Sequence, residues 1–586
     1  MTPVDARALA SWLAAADDDA LIALLRARRV APDAAWSDFF DAAEALLDPA
    51  AVAKAAPALP RSLVEAMDAA VASGRPVPEG DERAALTALG FTTASGEPYA
   101  GITNVWADLP RTDATDDDAD ASPADGDATD EDASEDDDAQ LAERAFTALS
   151  SLADVLLLTA PAPLGRTGAG TLGAGDRRRL IDAGAVPDAE TADLVIAIGV
   201  DAGLLAPTGR EWRVTTAGNA WLSRGTVDRW ASTARALRDA LPAALRTSTG
   251  GWMPPAAWPR AYPLDPSWGA RARRLIAQWR LWALVDGSGR APAWAAPLEA
   301  GGDIDEAALQ QRLPGEVDRI FLQNDLTAIA PGPLEPAIDA RLRRAARRES
   351  RAQASTYRFS AESIGAALAA GEDAASLTEF LTGISLTGLP QPLAYELERA
   401  ARRHGRLRVG VDASGRTQVT ATEPGALDTL AVDQALRPLG LIAEGDRLTS
   451  RSSVDAVFWM LSDARYPVAA VDEDGKVRIL DRAQLADPAD DADLDGTDTG
   501  YRALVGRLRA AHAAGDADAA WLGRELEQAV KARAVVAVSV RLPDGSTRDF
   551  SLEATGLGGG RLRGRDRASD VERTLPVSSI VSARVI

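Results

Sequence analysis

Between Asp113 and Asp138 the chain carries fourteen acidic residues and no base. Charges packed this densely repel one another, and the stretch has almost no apolar side chains to bury, so it cannot join a hydrophobic core. It splits the chain into parts that must fold apart from it. A second acidic stretch, Asp487 to Asp498, adds six acids and again no base. The formal net charge of −24 therefore misleads: without the first stretch the chain carries −10, and without both about −4. A chain of 586 residues also exceeds what one core supports, and its 46% hydrophobic content is ample for several.

Composition removes whole classes of chemistry. With no cysteine there are no disulfides, thiolate nucleophiles or Cys-ligated metals. The two histidines, His404 and His512, lie far apart in sequence, which argues against a histidine metal site or a His-containing triad. The N-terminus has no basic leader region, and no apolar run approaches a bilayer's thickness. The expectation is a soluble cytoplasmic protein, compatible with nucleoid association, with no cofactor, no metal and no membrane partner.

The predicted fold class is multidomain, mainly α with α+β parts. Residues 1–110 read as a helical domain, with Leu9, Trp12, Leu13, Leu21, Leu24 and Leu25 on helical faces. Residues 111–140 read as a disordered acidic linker. Residues 141–235 read as a winged helix: three helical segments, then LLAPTGREWRV alternating around Thr208-Gly209. Its third helix carries Asp188, Glu190, Asp193 and Asp201 and no arginine, a surface that repels phosphates. A protein-interaction role is therefore expected there. Residues 236–310 hold six of the fourteen tryptophans, Trp252, Trp258, Trp268, Trp279, Trp282 and Trp294. They could stack on nucleic-acid bases, but packing is the commoner use of so large an apolar ring. An αβ domain follows at 311–480, its last part, 430–480, read as a small extension with an Asp474-Gly475 hairpin. A second acidic linker is expected at 481–500 and a small C-terminal domain at 501–586.

Thr356 to Val409 predicts a short strand, three helical pieces and a second strand. TYRFS alternates, Ser360 can cap a helix, and Ile364, Leu368, Leu377, Phe380 and Leu381 recur at helical spacing. Gly388-Leu389-Pro390 interrupts, and Gly405 ends the last helix before RLRVGV. This order, with the phrases TYRFS, LPQPL and ARRHGRLRV and the upstream FLQNDLTAIAPGP, resembles the N-terminal domain of bacterial and archaeal XPB-type DNA helicases. The resemblance covers about 317–411. It implies an αβ domain that accompanies a helicase motor and docks on DNA or on a protein subunit. Near the C-terminus, WLGRELEQAVKAR leads into short strands separated by Asp544-Gly545 and Gly556–Gly560. That order resembles the WYL domain, a small SH3-like β-barrel, although the Trp-Tyr-Leu triplet of that family is not present.

A motor needs a P-loop lysine. The lysines are Lys54, Lys476 and Lys531; only Lys476 follows a glycine, and Val477 then stands where Ser or Thr should hold magnesium. Val471–Gly475 is an acidic turn rather than the end of a Walker B strand. Gly168 to Gly173 fits GxGxxG but lacks the preceding strand of a dinucleotide site. The chain is therefore expected not to be an enzyme, with no catalytic residue. The remaining signal is arginine. Arg341, Arg344, Arg348 and Arg351 are expected near one helical face, with Arg343 and Arg347 beside it. Arg402, Arg403 and Arg406 follow in the same domain, and Arg561, Arg563 and Arg565 near the C-terminus. The nucleic-acid-binding candidates are thus Arg341, Arg344, Arg347, Arg348, Arg402, Arg403, Arg406, Arg561, Arg563 and Arg565. The function expected is a non-catalytic helicase-associated factor that binds single- or double-stranded DNA or a helicase motor protein. The alternatives are a ligand-responsive WYL and winged-helix regulator, and a structural scaffold.

Overall fold

Short polar side chains open many of the helices. Asp17, Asp38, Asp48, Asp188, Thr215, Asp373 and Ser453 each accept a backbone N–H from the first helical turn. Ser360 and Ser363 form the full reciprocal capping box. In the computed structural model, the residues described are 3–112, 130–350, 354–423, 425–480, 485–486, 492–514, 517–542 and 545–585. They form a mixed α and β protein of two units.

One unit joins Met1–Ser122, Ala257–Arg273 and Asp490–Ile586. Its N-terminal helices bury Leu9, Leu24, Phe39, Phe40, Met67 and Trp106 in a core that also takes Leu264 and the Tyr501, Leu504, Val505 and Leu508 stripe of helix Ala492–Ala514. The Tyr501 hydroxyl donates to the Val30 carbonyl at 2.7 Å, and Asp498 pairs with Arg26. The expected separation of 1–110 from 501–586 therefore fails: an apolar helical face past the second acidic stretch is buried by the N-terminal helices. The expected linker 481–500 also shortens, because Ala492 already begins that helix; residues 481–484 and 487–491 lie outside the described residues.

The last part of this unit is a five-stranded antiparallel sheet. Its order is Val571–Pro576, Arg561–Asp566, Thr547–Gly558, Val535–Arg541, Ile580–Val585. Helix Ala517–Lys531 brings Leu526 to its core of Val536, Val538, Leu552, Leu562 and Ile580. The expected Gly556–Gly560 turn contracts to Gly559 and Gly560, both left-handed (φ 60° and 72°), while Gly556 and Gly558 lie in the strand. Asp544 lies outside the described residues.

The other unit joins Pro123–Ala256 and Arg274–Ala489. Helix Asp130–Thr159 begins inside the stretch expected to be linker, of which 113–129 lie outside the described residues. Helices Ala174–Asp182 and Ala189–Asp201 and the hairpin Leu205–Thr208 with Glu211–Val214 follow. Gly168–Gly173 is a loop between a two-residue strand of that antiparallel sheet and a helix, unlike a dinucleotide turn. All six tryptophans of 236–310 are at most 2% exposed, so none offers a face for base stacking. They do not form one segment. Trp258 and Trp268 belong to the first unit, where the Trp268 indole donates to the Trp258 carbonyl at 2.6 Å. In the second unit Trp252 and Trp279 meet edge-on at 4.6 Å.

The region 311–480 carries the element order expected for 356–409: Ser355–Phe359, then helices Ala361–Ala369, Ala374–Ile384 and Gln391–Arg403, then Leu407–Val411. The two strands belong to different sheets. Ser355–Phe359 lies between Thr327–Ala330 and Ala346–Ser350 in a four-stranded antiparallel sheet. Leu407–Val411 is interior to a six-stranded sheet whose other strands come from 417–478. The segment 430–480 is thus no appended extension: Val468–Val471 pairs parallel with Leu407–Val411, and Leu448, Phe458 and Val468 share one core with Val409. Its Asp474-Gly475 hairpin is present, with Gly475 at φ 75°.

Candidate nucleic-acid interface

A phosphate-binding arginine must keep its guanidinium near solvent and uncommitted. The ten candidates separate on this criterion. The expected helical face formed by Arg341 to Arg351 does not exist, because helix Pro336–Ala345 ends and Ala346–Ser350 is a strand. Arg351 lies outside the described residues. Arg341 grips Glu372 with two bonds (3.1 and 2.9 Å) and lies over the Phe380 ring at 4.4 Å. Its hydrogen bonds to Glu372 outweigh burial and raise its pKa. Arg348 turns inward and pairs with Asp154, whose side chain is 3% exposed. These two are committed to carboxylates of the fold. Arg406 and Arg565 are half-committed, to Glu423 and Asp570, each at 2.7 Å.

Six candidates remain available. Arg344 reaches Glu372 only at 4.0 Å and Arg402 reaches Glu398 at 3.5 Å. Arg347, Arg403, Arg561 and Arg563 are exposed and have no ion pair among the described residues. Arg561 and Arg563 share the exposed face of strand Arg561–Asp566 and stand opposite Gly558 and Gly556, which put no side chain beside them.

Two candidates from separate sequence patches meet. Arg344 and Arg403 both line a cleft of about 700 Å³. Ala361, Gly365, Ala366 and Ala369 of helix Ala361–Ala369 form its small-residue side. Helix Gln391–Arg403 contributes Arg399 as well as Arg403, and the end of helix Val454–Asp463 contributes Trp459, with Arg465 just beyond. Arg465 and Glu362 pair at 3.3 Å on the exposed rim, and Arg399 pairs with Glu396. Four arginines thus face three carboxylates, Glu362, Glu396 and Asp463. Burial pushes the adjacent His404 imidazole below its ordinary value of 6.5, so it is neutral at pH 7. Tyr466 is held by donating to Asp433 at 2.7 Å, and that bond, together with burial, raises its pKa to about 12.

Sequence spacing within 356–409 does not reveal Trp459 or Arg465 as neighbours of Arg403. Only the i, i+4 spacing of Arg399 and Arg403 is visible there; Arg465 arrives from another helix end. A buried ion network is equally silent in the sequence. The carboxylate of Asp154 meets Arg343 at 2.6 Å and Arg348, and Arg343 also reaches Asp339 at 3.7 Å. The Tyr357 hydroxyl donates to Asp339 at 2.6 Å. Burial works against the charge of Arg343, yet Asp154 and Asp339 more than offset it and raise its pKa.

The third helix of 141–235 also reads differently in three dimensions. Asp188 caps it, Asp193 is gripped by Arg177 at 2.9 Å, and burial raises the pKa of Asp201. Among the described residues only Asp193 of its four acids gains an ion-paired partner, so the repulsion expected from the sequence is eased there, while Asp188, exposed and held charged by its backbone hydrogen bonds, keeps it. Among the described residues no helix is long and apolar enough to cross a membrane, and no group of three or more His, Asp or Glu side chains could hold a metal ion.

A search of curated proteins finds no match to this chain. Residues 320–444, about a fifth of the chain, match a family described as a helicase conserved C-terminal domain. The match begins at the strand Phe321–Leu322 and ends in the six-stranded sheet, so it includes Arg341, Arg344, Arg347, Arg348, Arg402, Arg403 and Arg406 and links the chain to helicase-associated proteins.

Proposed function

We propose that this chain is a helicase-associated protein with no motor of its own, and that it contacts nucleic acid through arginines left exposed by its fold. The observation that carries this reading is the placing of four exposed arginines, Arg344, Arg347, Arg402 and Arg403, inside the helicase-family match. Arg561 and Arg563 on the C-terminal sheet add a second contact. In this reading 317–411 is an accessory domain of the XPB N-terminal type, the C-terminal sheet is a WYL-like barrel, and the chemistry of unwinding comes from a partner helicase. The three lysine contexts support the absence of a motor.

Fluorescence anisotropy of the full chain with single- and double-stranded DNA over a salt series tests this. Binding should weaken steeply with salt. Arg561→Glu with Arg563→Glu should shallow the salt slope by roughly one unit for each phosphate that the pair neutralises in the parent chain. Binding that is absent at low salt, or insensitive to salt, sinks the DNA reading.

A ligand-responsive regulator is the second reading. It is favoured by the pairing of Asp193 with Arg177, beside which the exposed Arg178 is held only loosely, by Asp182 at 3.8 Å. Operator binding abolished by Arg178→Glu supports it; binding indifferent to that change removes it.

A further inference from the structure

The cleft beside helix Ala361–Ala369 differs from the exposed arginines in one respect: it is concave. Its volume of about 700 Å³ lies within the roughly 300–1,000 Å³ of small-ligand sites. A duplex presents its phosphates on a convex surface and cannot enter such a space, whereas one nucleotide can. The chemistry of the lining matches that unit. Arg403 has no ion pair among the described residues, and Arg399, one turn before it, pairs with Glu396 at 3.3 Å through one amino group and is 51% exposed at its side chain. Their guanidiniums can take a phosphate bidentately. Ala361, Gly365 and Ala366 leave a surface without protruding side chains, on which a flat base can lie. A Cβ built at Gly365 meets nothing within 4 Å, so the space beside it is open. Trp459 also lines the cleft; its ring packs partly on the neighbouring core, edge-on to Phe458 at 4.7 Å, and the part left toward the cleft is an aromatic surface for a base. The Arg465–Glu362 pair on the rim is exposed at both partners (73% and 62%), so opening it costs little.

We propose that this cleft binds a single nucleotide unit, with its phosphate at Arg403 and Arg399 and its base between the Ala361–Ala369 helix and Trp459. The unit is either a free nucleotide or one residue of a single strand. The proposal rests on the nucleic-acid reading above for the class of ligand, but its site is separate from Arg561 and Arg563.

Isothermal titration of the full chain tests it with three probes: deoxyadenosine monophosphate, a short single strand and inorganic phosphate. The nucleotide or the strand should bind more tightly than phosphate. Arg403→Glu and the cleft-filling Gly365→Trp should each weaken that binding by at least about tenfold, with Arg403→Gln as the milder variant. Binding of the mononucleotide with no gain from the strand assigns a free ligand; binding of the strand alone assigns a nucleic-acid chain. The proposal is overturned if phosphate binds as tightly as the nucleotide, if Gly365→Trp folds but binds as before, or if neither probe binds at millimolar concentration. Failure of the anisotropy experiment with mononucleotide binding intact would overturn the broader reading and leave the cleft standing.

Discussion

Asp154→Asn is the sharpest test of how the helicase-matching region is anchored. The Asp154 side chain is 3% exposed and accepts from Arg343 and Arg348, themselves only 16% and 15% exposed. An amide of the same size can accept from one arginine but turns an NH₂ toward the other. Each charged hydrogen bond contributes roughly 1.5–3 kcal/mol net, and breaking a buried pair by removing one partner costs about 3–5 kcal/mol. Arg343 keeps Asp339 at 3.7 Å, which offsets part of the loss, whereas Arg348 has no second carboxylate within salt-bridge range among the described residues. The expected cost is therefore about 3 kcal/mol, more than a hundredfold in the local opening equilibrium. The chain has several cores, so a single global transition is a poor readout. Hydrogen exchange of the paired strands Ala346–Ser350 and Ser355–Phe359 reads the local equilibrium directly. Their protection should fall about a hundredfold, and added salt should not erase the difference, because buried pairs are poorly screened. Replacing all three groups together, with Asp154→Leu, Arg343→Met and Arg348→Met, should restore part of the protection, since the buried Asp154 site then holds no charge, while Asp339 loses Arg343 and keeps the Tyr357 hydroxyl. A loss below about 1 kcal/mol for Asp154→Asn would refute the claim that this carboxylate anchors the two arginines.

Three further outcomes are expected. Gly365→Ala, in mid-helix with open space around its Cβ, should raise stability by about 1 kcal/mol in thermal or urea melts; destabilisation would mean that the position is not helical. Gly251→Ala should cost about 3 kcal/mol or more by the same melts, because its Cβ would lie 1.7 Å from the Glu299 carbonyl oxygen, which is backbone and cannot swing away; a neutral result would contradict that close approach. For His404, burial lowers the folded pKa below 6.5, so the unfolded chain takes up the proton first as pH falls. Its contribution is fully present above pH 6.5 and is lost as pH drops through the lower folded value. His404→Gln should therefore flatten the decline in urea midpoint below pH 6.5, and an unchanged decline would show that His404 is not its source.

Local chemistry made the elements legible. The Ser360 cap, the helical stripe Ile364, Leu368, Leu377 and Leu381, and the left-handed Gly405 carry the order strand, three helices, strand into the structure because each acts within a turn or two of chain. The division into parts was legible less well. The stripe Tyr501, Leu504, Val505 and Leu508 announces a buried face but not what buries it. The arginine patches fared worst. Composition counts guanidiniums, yet whether one is free depends on a carboxylate that can lie anywhere in sequence. Asp154 meets Arg348 across 194 residues and takes it out of reach of any ligand.

By itself the sequence determined what this chain lacks and how it is punctuated. It has no cysteine, its three lysines stand outside any P-loop, two acidic stretches interrupt it, and its caps and glycines start and stop the helices. These follow from residue identity and short-range sterics, which need no fold to act. Only the tertiary structure decided which arginines face solvent, that Arg344 and Arg403 share one cleft with Trp459, and that the six tryptophans of 236–310 are packed away. Burial and ion pairing are properties of neighbours brought together by the core, and the sequence separation of those neighbours carries no trace of them.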